Sequence, residues 1–446
     1  MTILRDRQAM STKLARIAEL AKKNKELKFL SIAHLLTVEA MERAFASLKK
    51  EASAGVDGIT YRQYEVDVRG NLERLHERLK SRRYRAQPLR RSYIPKEDGR
   101  LRPIGIPTLE DKVVQKASVE LLSAIYEQDF LGCSYGSRPG RSAQDALDEV
   151  GRIICQCPIS YVVEADICGY FDAIVREMLM EMIERRVGDR SMLRLIGKWM
   201  NVGVIEEGRL LVSKTGTGQG QVISPLLANI YLHYVLDEWF EKEVKPRLRG
   251  KAYEIRYVDD FILCFQYRED AERVLAALSQ RFGKYGLTLH PEKTRLLEFG
   301  RSALAKSEEP GGKKPGTFDF LGFTHICRRS RKGKFTIHLR TARKRLSCSL
   351  KKVAAWCQKH RHDPVEEQSQ ALNAKLRGHD QYYGRPTNFP SLWEYHREVR
   401  KIWKKWLNRR TRGKTLTWTV YQELLSLHPL LRPRITHSWA GAGSLV

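Results

Sequence analysis

The sequence predicts an α+β chain in which an antiparallel sheet carrying clustered acids is followed by a helical, strongly basic C-terminal region. Three observations predict this. Two strand-like runs, 253–256 and 261–265, flank the adjacent acids Asp259 and Asp260. A β-branched run over 160–167 carries a further acid, Asp166, at its end. Charge is also distributed unevenly: of a formal +28, residues 326–446 hold 27 basic against 7 acidic side chains, whereas residues 51–325 are nearly balanced.

Taken in chain order, the first fifty residues read as amphipathic helix, with Leu14, Ile17, Leu20 and Ala21 spaced for one face and lysines between them. Residues 1–51 form a basic N-terminal extension suited to RNA, and 52–325 form the acid-bearing unit. Within that unit Glu97-Asp98-Gly99 reads as a hairpin loop flanked by Lys96 and Arg102, two cations able to fold over a triphosphate. Exposed loop charges are the plainer alternative for that pair. Gly216-Thr217-Gly218-Gln219-Gly220 is a glycine-rich turn, and 302–317, rich in Lys, Glu, Gly and Pro, is expected to be a surface loop. Beyond Arg328 the pattern turns helical. Residues 326–425 predict a three-helix unit with breaks at Arg377-Gly378-His379 and Tyr382-Tyr383-Gly384, followed by a tail over 426–446.

Tyr257-Val258-Asp259-Asp260 lies between the two strand runs as a tight hairpin, so both carboxylates project into one small volume. Like charges held that close repel unless a cation neutralises them. Magnesium prefers hard oxygen ligands and leaves room for phosphate oxygens. Asp-Asp alone is most simply an acidic turn. The decisive addition is Asp166 at the end of a second strand, because two ions about 4 Å apart need carboxylates from both sides.

The basic C-terminal region interleaves cations with rings at Trp393, Tyr395, Trp403, Lys404, Lys405, Trp406, Arg409, Arg410 and Trp418. Helical spacing lets Ile402, Trp403 and Trp406 face a core. Lys404, Lys405, Arg409 and Arg410 then face outward as an RNA-binding surface, with a merely solvated helix face as the alternative. Eight cysteines occur without a C-x-x-C pair or histidines at zinc spacing, which predicts reduced thiols. With no signal-like start and no apolar run of membrane-spanning length, a soluble protein of the bacterial cytosol, without a membrane partner, is expected.

Asp166-Ile167 with Phe171-Asp172, followed by Tyr-Val-Asp-Asp, resembles the palm motifs of reverse transcriptases. Further blocks resemble the group II intron-encoded reverse transcriptase and maturase branch: 55–60, 102–108, 135–142, Gln219-Gly220 through Ile230, and Phe320-Leu321-Gly322-Phe323. The resemblance runs from about residue 35 to 438. It implies a right-hand polymerase, with fingers and an antiparallel palm sheet followed by a helical thumb or maturase domain. It implies two magnesium ions at Asp166, Ile167, Asp259 and Asp260, with the three aspartates catalytic. Nucleotide contacts are implied for Lys96, Arg102, Phe171 and Gln219. Phe171 stands where the family places the ring that excludes a 2′-hydroxyl; core packing is the rival reading, with Tyr170 the better core member. Gly218 replaces the usual proline before the glutamine and is expected to loosen that loop. The implied partners are group II intron RNA, an RNA template with its DNA primer, deoxynucleoside triphosphates and a DNA target. Many members continue into a zinc-associated nuclease domain, and after Ser438 only a short Gly-Ala tail is read, so a form lacking it is expected. Two alternatives stand beside polymerisation: a protein acting mainly as an RNA-binding splicing cofactor, and a domesticated enzyme of defence or repair.

Overall fold

The computed structural model describes residues 2–95, 99–213, 215–410 and 416–438, with side chains from residue 12 onward. The described residues form a mixed α/β fold with three sheets. Strands β1 (Leu89–Pro95) and β2 (Leu101–Ile106) form an antiparallel hairpin. Next come β3 (Tyr161–Ala165), then the short pair β4 (Val204–Glu206) and β5 (Arg209–Leu211), with β4 running parallel beside β1. Strands β6 (Ala252–Tyr257), β7 (Asp260–Phe265) and β8 (Arg295–Glu298) join β3 in a central antiparallel sheet of order β6-β7-β3-β8. The third sheet, β9 (Phe318–Phe320), β10 (Phe323–Arg329) and β11 (Phe335–Thr341), is an antiparallel meander.

The central sheet is buried on both faces, which is why β7 reads as an unbroken apolar run instead of an alternating one. Phe261, Leu263 and Phe265 join the core built by the helices of the N-terminal half, including Leu109–Tyr126. Ile262 and Cys264 face the opposite core, shared with helix Ala143–Gln156 and the third sheet. That helix starts on a reciprocal capping box between Ser142 and Asp145. A third core, around Trp403, Tyr421 and Leu376, belongs to the C-terminal helices.

Five sequence expectations change. In the first helix, Thr2–Lys23, Ile17 and Ala21 are buried but Leu20 is 41% exposed, because consecutive residues step about 100° and Leu20 falls off the stripe. This helix shares the core of the central unit. The 302–317 stretch is only partly loop, since Arg301–Ser307 is helical with Ala303 buried. The helical region begins at Arg343, after β10 and β11, whose exposed rim residues hid their alternation. Among the described residues it contains four helices, Arg343–Lys359, Val365–Tyr383, Phe389–Leu407 and Trp418–Leu427. The chain after 427 folds back: Leu431 N–H donates to Asn373 Oδ1 at 2.8 Å, and Thr436 N–H to the Gly384 carbonyl at 2.8 Å. Among the described residues no helix is long and apolar enough to cross a membrane.

Candidate active site

Strands β6 and β7 pair down to Tyr257 opposite Asp260, leaving Val258 and Asp259 as a two-residue turn. Val258 has φ of +61°, a left-handed conformation that costs a β-branched residue about 1–3 kcal/mol. Arg256 pins it. Its Nη1 donates to the Val258 carbonyl at 2.9 Å and to Asn229 Oδ1 at 3.0 Å, and its Nη2 donates to Ser134 Oγ at 2.9 Å. Its Nε and Nη2 also fork onto Asp237 at 2.7 and 2.6 Å, with both side chains wholly buried. Gly136 packs under the turn, where a Cβ would sit 2.6 Å from Val258 N, and its carbonyl accepts from Asn229 Nδ2 at 2.8 Å.

Strand β3 runs beside β7 with Ala165 opposite Phe261, so the next position sets Asp166 across from Asp260. The backbone there is fixed from the other side. The Asp166 carbonyl accepts from His290 N–H at 2.8 Å, Cys168 N–H donates to Thr288 at 2.9 Å, and buried Ile167 bridges to Leu289 between them. Asp166 forms an ion pair with Lys293, and the charge of Arg102 reaches Asp259.

These acids suit a cation. Burial, then the neighbouring Asp259 charge, pushes the Asp260 carboxyl up to about 7, against which the Leu321 N–H donates to it. Asp259 is also raised, by burial and then by Asp166, while Arg102 and Arg256 pull it back. Leu321 has φ of +50° in the Phe320–Phe323 turn, and its carbonyl accepts from Tyr382 Oη at 2.9 Å. The C-terminal helices are thereby tied to Asp260. The oxygens of the three acids do not all lie within 4.8 Å of one another. A tighter set, Cys133, Asp237 and Glu254, lies behind the hairpin, but both Asp237 oxygens are committed to Arg256, and burial, then the Asp237 charge, pushes the Glu254 carboxyl well above its usual range. That set does not suit magnesium.

Residues 94–325 match the reverse transcriptase (RNA-dependent DNA polymerase) family. Group II intron-encoded protein LtrA of Lactococcus lactis subsp. cremoris is 31% identical over 282 residues, which is 60% of this chain and 47% of LtrA. Protein YkfC of Escherichia coli (strain K12) is 32% identical over 331 residues, 66% of this chain and 81% of YkfC. An uncharacterized 91 kDa protein in the cob intron of Schizosaccharomyces pombe is 35% identical over 213 residues, 46% of this chain and 26% of that protein. The chain belongs to the group II intron reverse transcriptase/maturase family. It spans less than half of LtrA and four-fifths of YkfC.

The glycine-rich turn of this reverse transcriptase docks on β2: Gly105 N–H donates to the Gln219 carbonyl at 2.7 Å, and a Cβ on Gly220 would lie 2.4 Å from Ile104 Cγ2. Gln219 is thereby held to β2 three residues along the strand from Arg102. Gly218 does not loosen the turn. Its φ of +65° is inaccessible to proline, and its carbonyl accepts from Ser224 Oγ at 3.0 Å and Gln221 N–H at 3.2 Å. Phe171 is half-buried and its carbonyl accepts from Thr217 N–H at 3.0 Å, joining it to the same turn. Tyr170 is the core member, 2% exposed, with its hydroxyl donating to the Ala228 carbonyl at 2.5 Å. Lys96 lies outside the described residues.

The four C-terminal cations divide. Lys404 donates to the Leu416 carbonyl at 2.5 Å and sits over the Trp418 ring, and Arg410 donates to the carbonyls of Arg361 and Asp363. Those two hold helix ends together. Lys405 and Arg409 are exposed and lie against the Trp406 ring at 5.9 and 5.1 Å. Trp403 is buried, whereas Trp393 and Trp418 are 42% and 52% exposed.

Reading the sequence around the acids missed what positions them: Arg256, Asp237, Asn229, Gly136, Leu321 and Lys293. A signal was present. Arg256 and Asn229 interrupt apolar runs, and a charge or amide inside a buried element needs a buried partner.

Proposed function

We propose that this reverse transcriptase extends a DNA primer on an RNA template, and that it binds group II intron RNA to assist splicing and insertion at a DNA target. On this reading the central sheet is the palm, the β1–β2 hairpin with the flanking helices the fingers, and the helices after Arg343 the thumb. The observation that carries it is the register that puts Asp166 across from Asp260 and beside the Val258-Asp259 turn, with both hairpin carboxyls raised by burial and by their neighbours. Two magnesium ions held by Asp166, Asp259 and Asp260, with Ile167 alongside, would activate the primer 3′-hydroxyl and neutralise the triphosphate.

The residues around them have separate tasks. Arg102 places positive charge over the triphosphate, and the sequence assigns Lys96 the same task. Gln219, held by its backbone on β2, lines the base and sugar. Phe171 closes the space a 2′-hydroxyl would need, so deoxynucleotides are selected. Base pairing supplies the template's information, and the protein grips duplex shape and phosphates.

Asp259→Ala and Asp166→Ala test this directly: primer extension should be abolished while the fold and RNA binding persist. Asp57→Ala, outside the cluster, should retain substantial extension. Near-normal synthesis by Asp259→Ala would overturn the assignment. The second reading, a splicing cofactor acting through RNA binding, draws on the concentration of charge after residue 325. It predicts splicing assistance that survives loss of the acids.

A further inference from the structure

A cavity of about 250 Å³ opens among three elements of the N-terminal half, lined by none of the proposed catalytic or nucleotide-contacting residues. His34 comes from the short turn Ala33–Leu35, His76, Lys80 and Arg82 from helix Val68–Lys80 and the turn after it, and Arg194 and Lys198 from helix Arg190–Asn201. No carboxylate lines it, and Leu79 and Leu195 contribute apolar surface. Cations at the C-terminal end of a helix are ordinary complements to its dipole, which would account for Lys80 alone. It does not account for cations converging from the other two elements.

Two features show that the convergence is built into the fold. The Asp189 carboxylate accepts from four backbone N–H groups, those of Ile32, Ala33, Ser191 and Met192, which fixes the His34 turn to the Arg194 helix and so sets their cationic side chains around one space. Arg82 has φ of +60° just past the helix end, where glycine is favoured, so a long cationic side chain stands where the backbone asks for none. Lys198 Nζ donates to the Tyr84 carbonyl, and burial, then Arg194 and Arg85, lowers its pKa. Cations converging on a part-enclosed space whose lining holds no carboxylate favour an anion.

We propose that this cavity is a binding site for one sugar-phosphate unit, the phosphate taken by Arg82, Arg194 and Lys198 and the sugar by the leucine surface. Its volume lies just below the roughly 300–1,000 Å³ of typical small-molecule pockets, which suits one such unit and not a nucleoside triphosphate. The unit can come from an RNA strand or from a free mononucleotide. The site goes beyond the polymerase reading, since it is separate from the acids.

The test is calorimetry on the full chain with adenosine monophosphate and adenosine, in metal-free buffer so that the acid cluster takes no nucleotide. The monophosphate should bind and adenosine should not. Arg82→Gly with Arg194→Gln should weaken the monophosphate by at least on the order of tenfold, the effect of removing a charge-assisted hydrogen bond. Arg82→Gly suits the left-handed backbone, so the melting temperature should hold or rise. Lys351→Gln with Lys352→Gln, removing equal charge elsewhere, should leave binding unchanged. Equal affinity for the two ligands, or equal weakening in both double variants, overturns the site. If a short single-stranded RNA displaces the monophosphate the source is a strand, and if it does not the source is a free nucleotide. Primer extension should be unaffected by the cavity variants, so failure here leaves the polymerase reading standing.

Discussion

The acid end of the central sheet and the basic C-terminal helices are opposite solutions to handling charge. At the sheet end three carboxylates are crowded, Asp259 and Asp260 are raised in pKa by burial and by a neighbouring acid, and the turn and strand end that carry them are held by backbone or by the buried Arg256. In the helices many cations are spread over surface, and some are already engaged, Lys404 and Arg410 on carbonyls and Lys405 and Arg409 on a ring. Crowding makes a site whose members cannot be exchanged. Spreading makes a surface in which individual residues matter little, and in which a cation serving the fold looks the same in sequence as one serving a ligand.

The comparison can be broken or sharpened by substitution. The acid variants should give the steepest loss. Next, Arg256→Met should cost about 3–5 kcal/mol of stability in denaturant titration, because it leaves the Asp237 charge buried and unpaired. Arg256→Lys keeps a charge but not the fork, so it should recover part of the stability while extension stays low, the Val258 carbonyl being left without its donor. Full extension by Arg256→Lys would mean that the turn is held without it.

Metal and pH should act together. The Asp260 carboxyl lies at about 7 in the folded chain, above its unfolded value of roughly 4, so the folded state holds a proton that the unfolded state has released. Its contribution to metal-free stability is therefore complete below about pH 4 and lost as pH rises through 7. Magnesium bound at Asp260, as proposed, would displace that proton. Its stabilisation, read as the shift in melting temperature on adding or chelating the ion, should be small at about pH 6 and larger at about pH 8. A shift independent of pH would place the ion elsewhere.

A smaller effect is expected at the sugar gate. Phe171→Val should raise ribonucleotide relative to deoxynucleotide incorporation while polymerisation persists, and unchanged selectivity would move the gate to another residue. The smallest concerns the helices. Neutralising Lys405 and Arg409 should lower the log–log salt slope of RNA binding by roughly 0.7–0.9 for each phosphate no longer neutralised and shorten products, without removing first-nucleotide addition. Adding Lys404 and Arg410 should instead destabilise the helix ends, visible as a lower melting temperature. An unchanged salt slope would mean that these cations only solvate the helix.

Much of the sheet was legible because local chemistry dictated it. Asp259 and Asp260 between apolar runs demand a hairpin tip, and Asp166 after a β-branched run marks the end of a neighbouring strand. The four-helix count and the strands at 323–341 were not legible, because β10 and β11 carry arginines and a glycine turn at their exposed ends that mask the alternation.

By itself, then, the sequence determined which residue types stand at the turn, the order of the motif blocks and the charge imbalance, since these are properties of neighbours along the chain. Only the tertiary structure decided that Arg256 spends its charge on Asp237 and Val258, that Leu321 reaches Asp260 from the far side, and that Gly218 tightens its turn. Two of them, Arg256 with Asp237 and Leu321 with Asp260, join residues distant in sequence. Their strength comes from burial, which removes competing water and is settled only when the whole chain has packed.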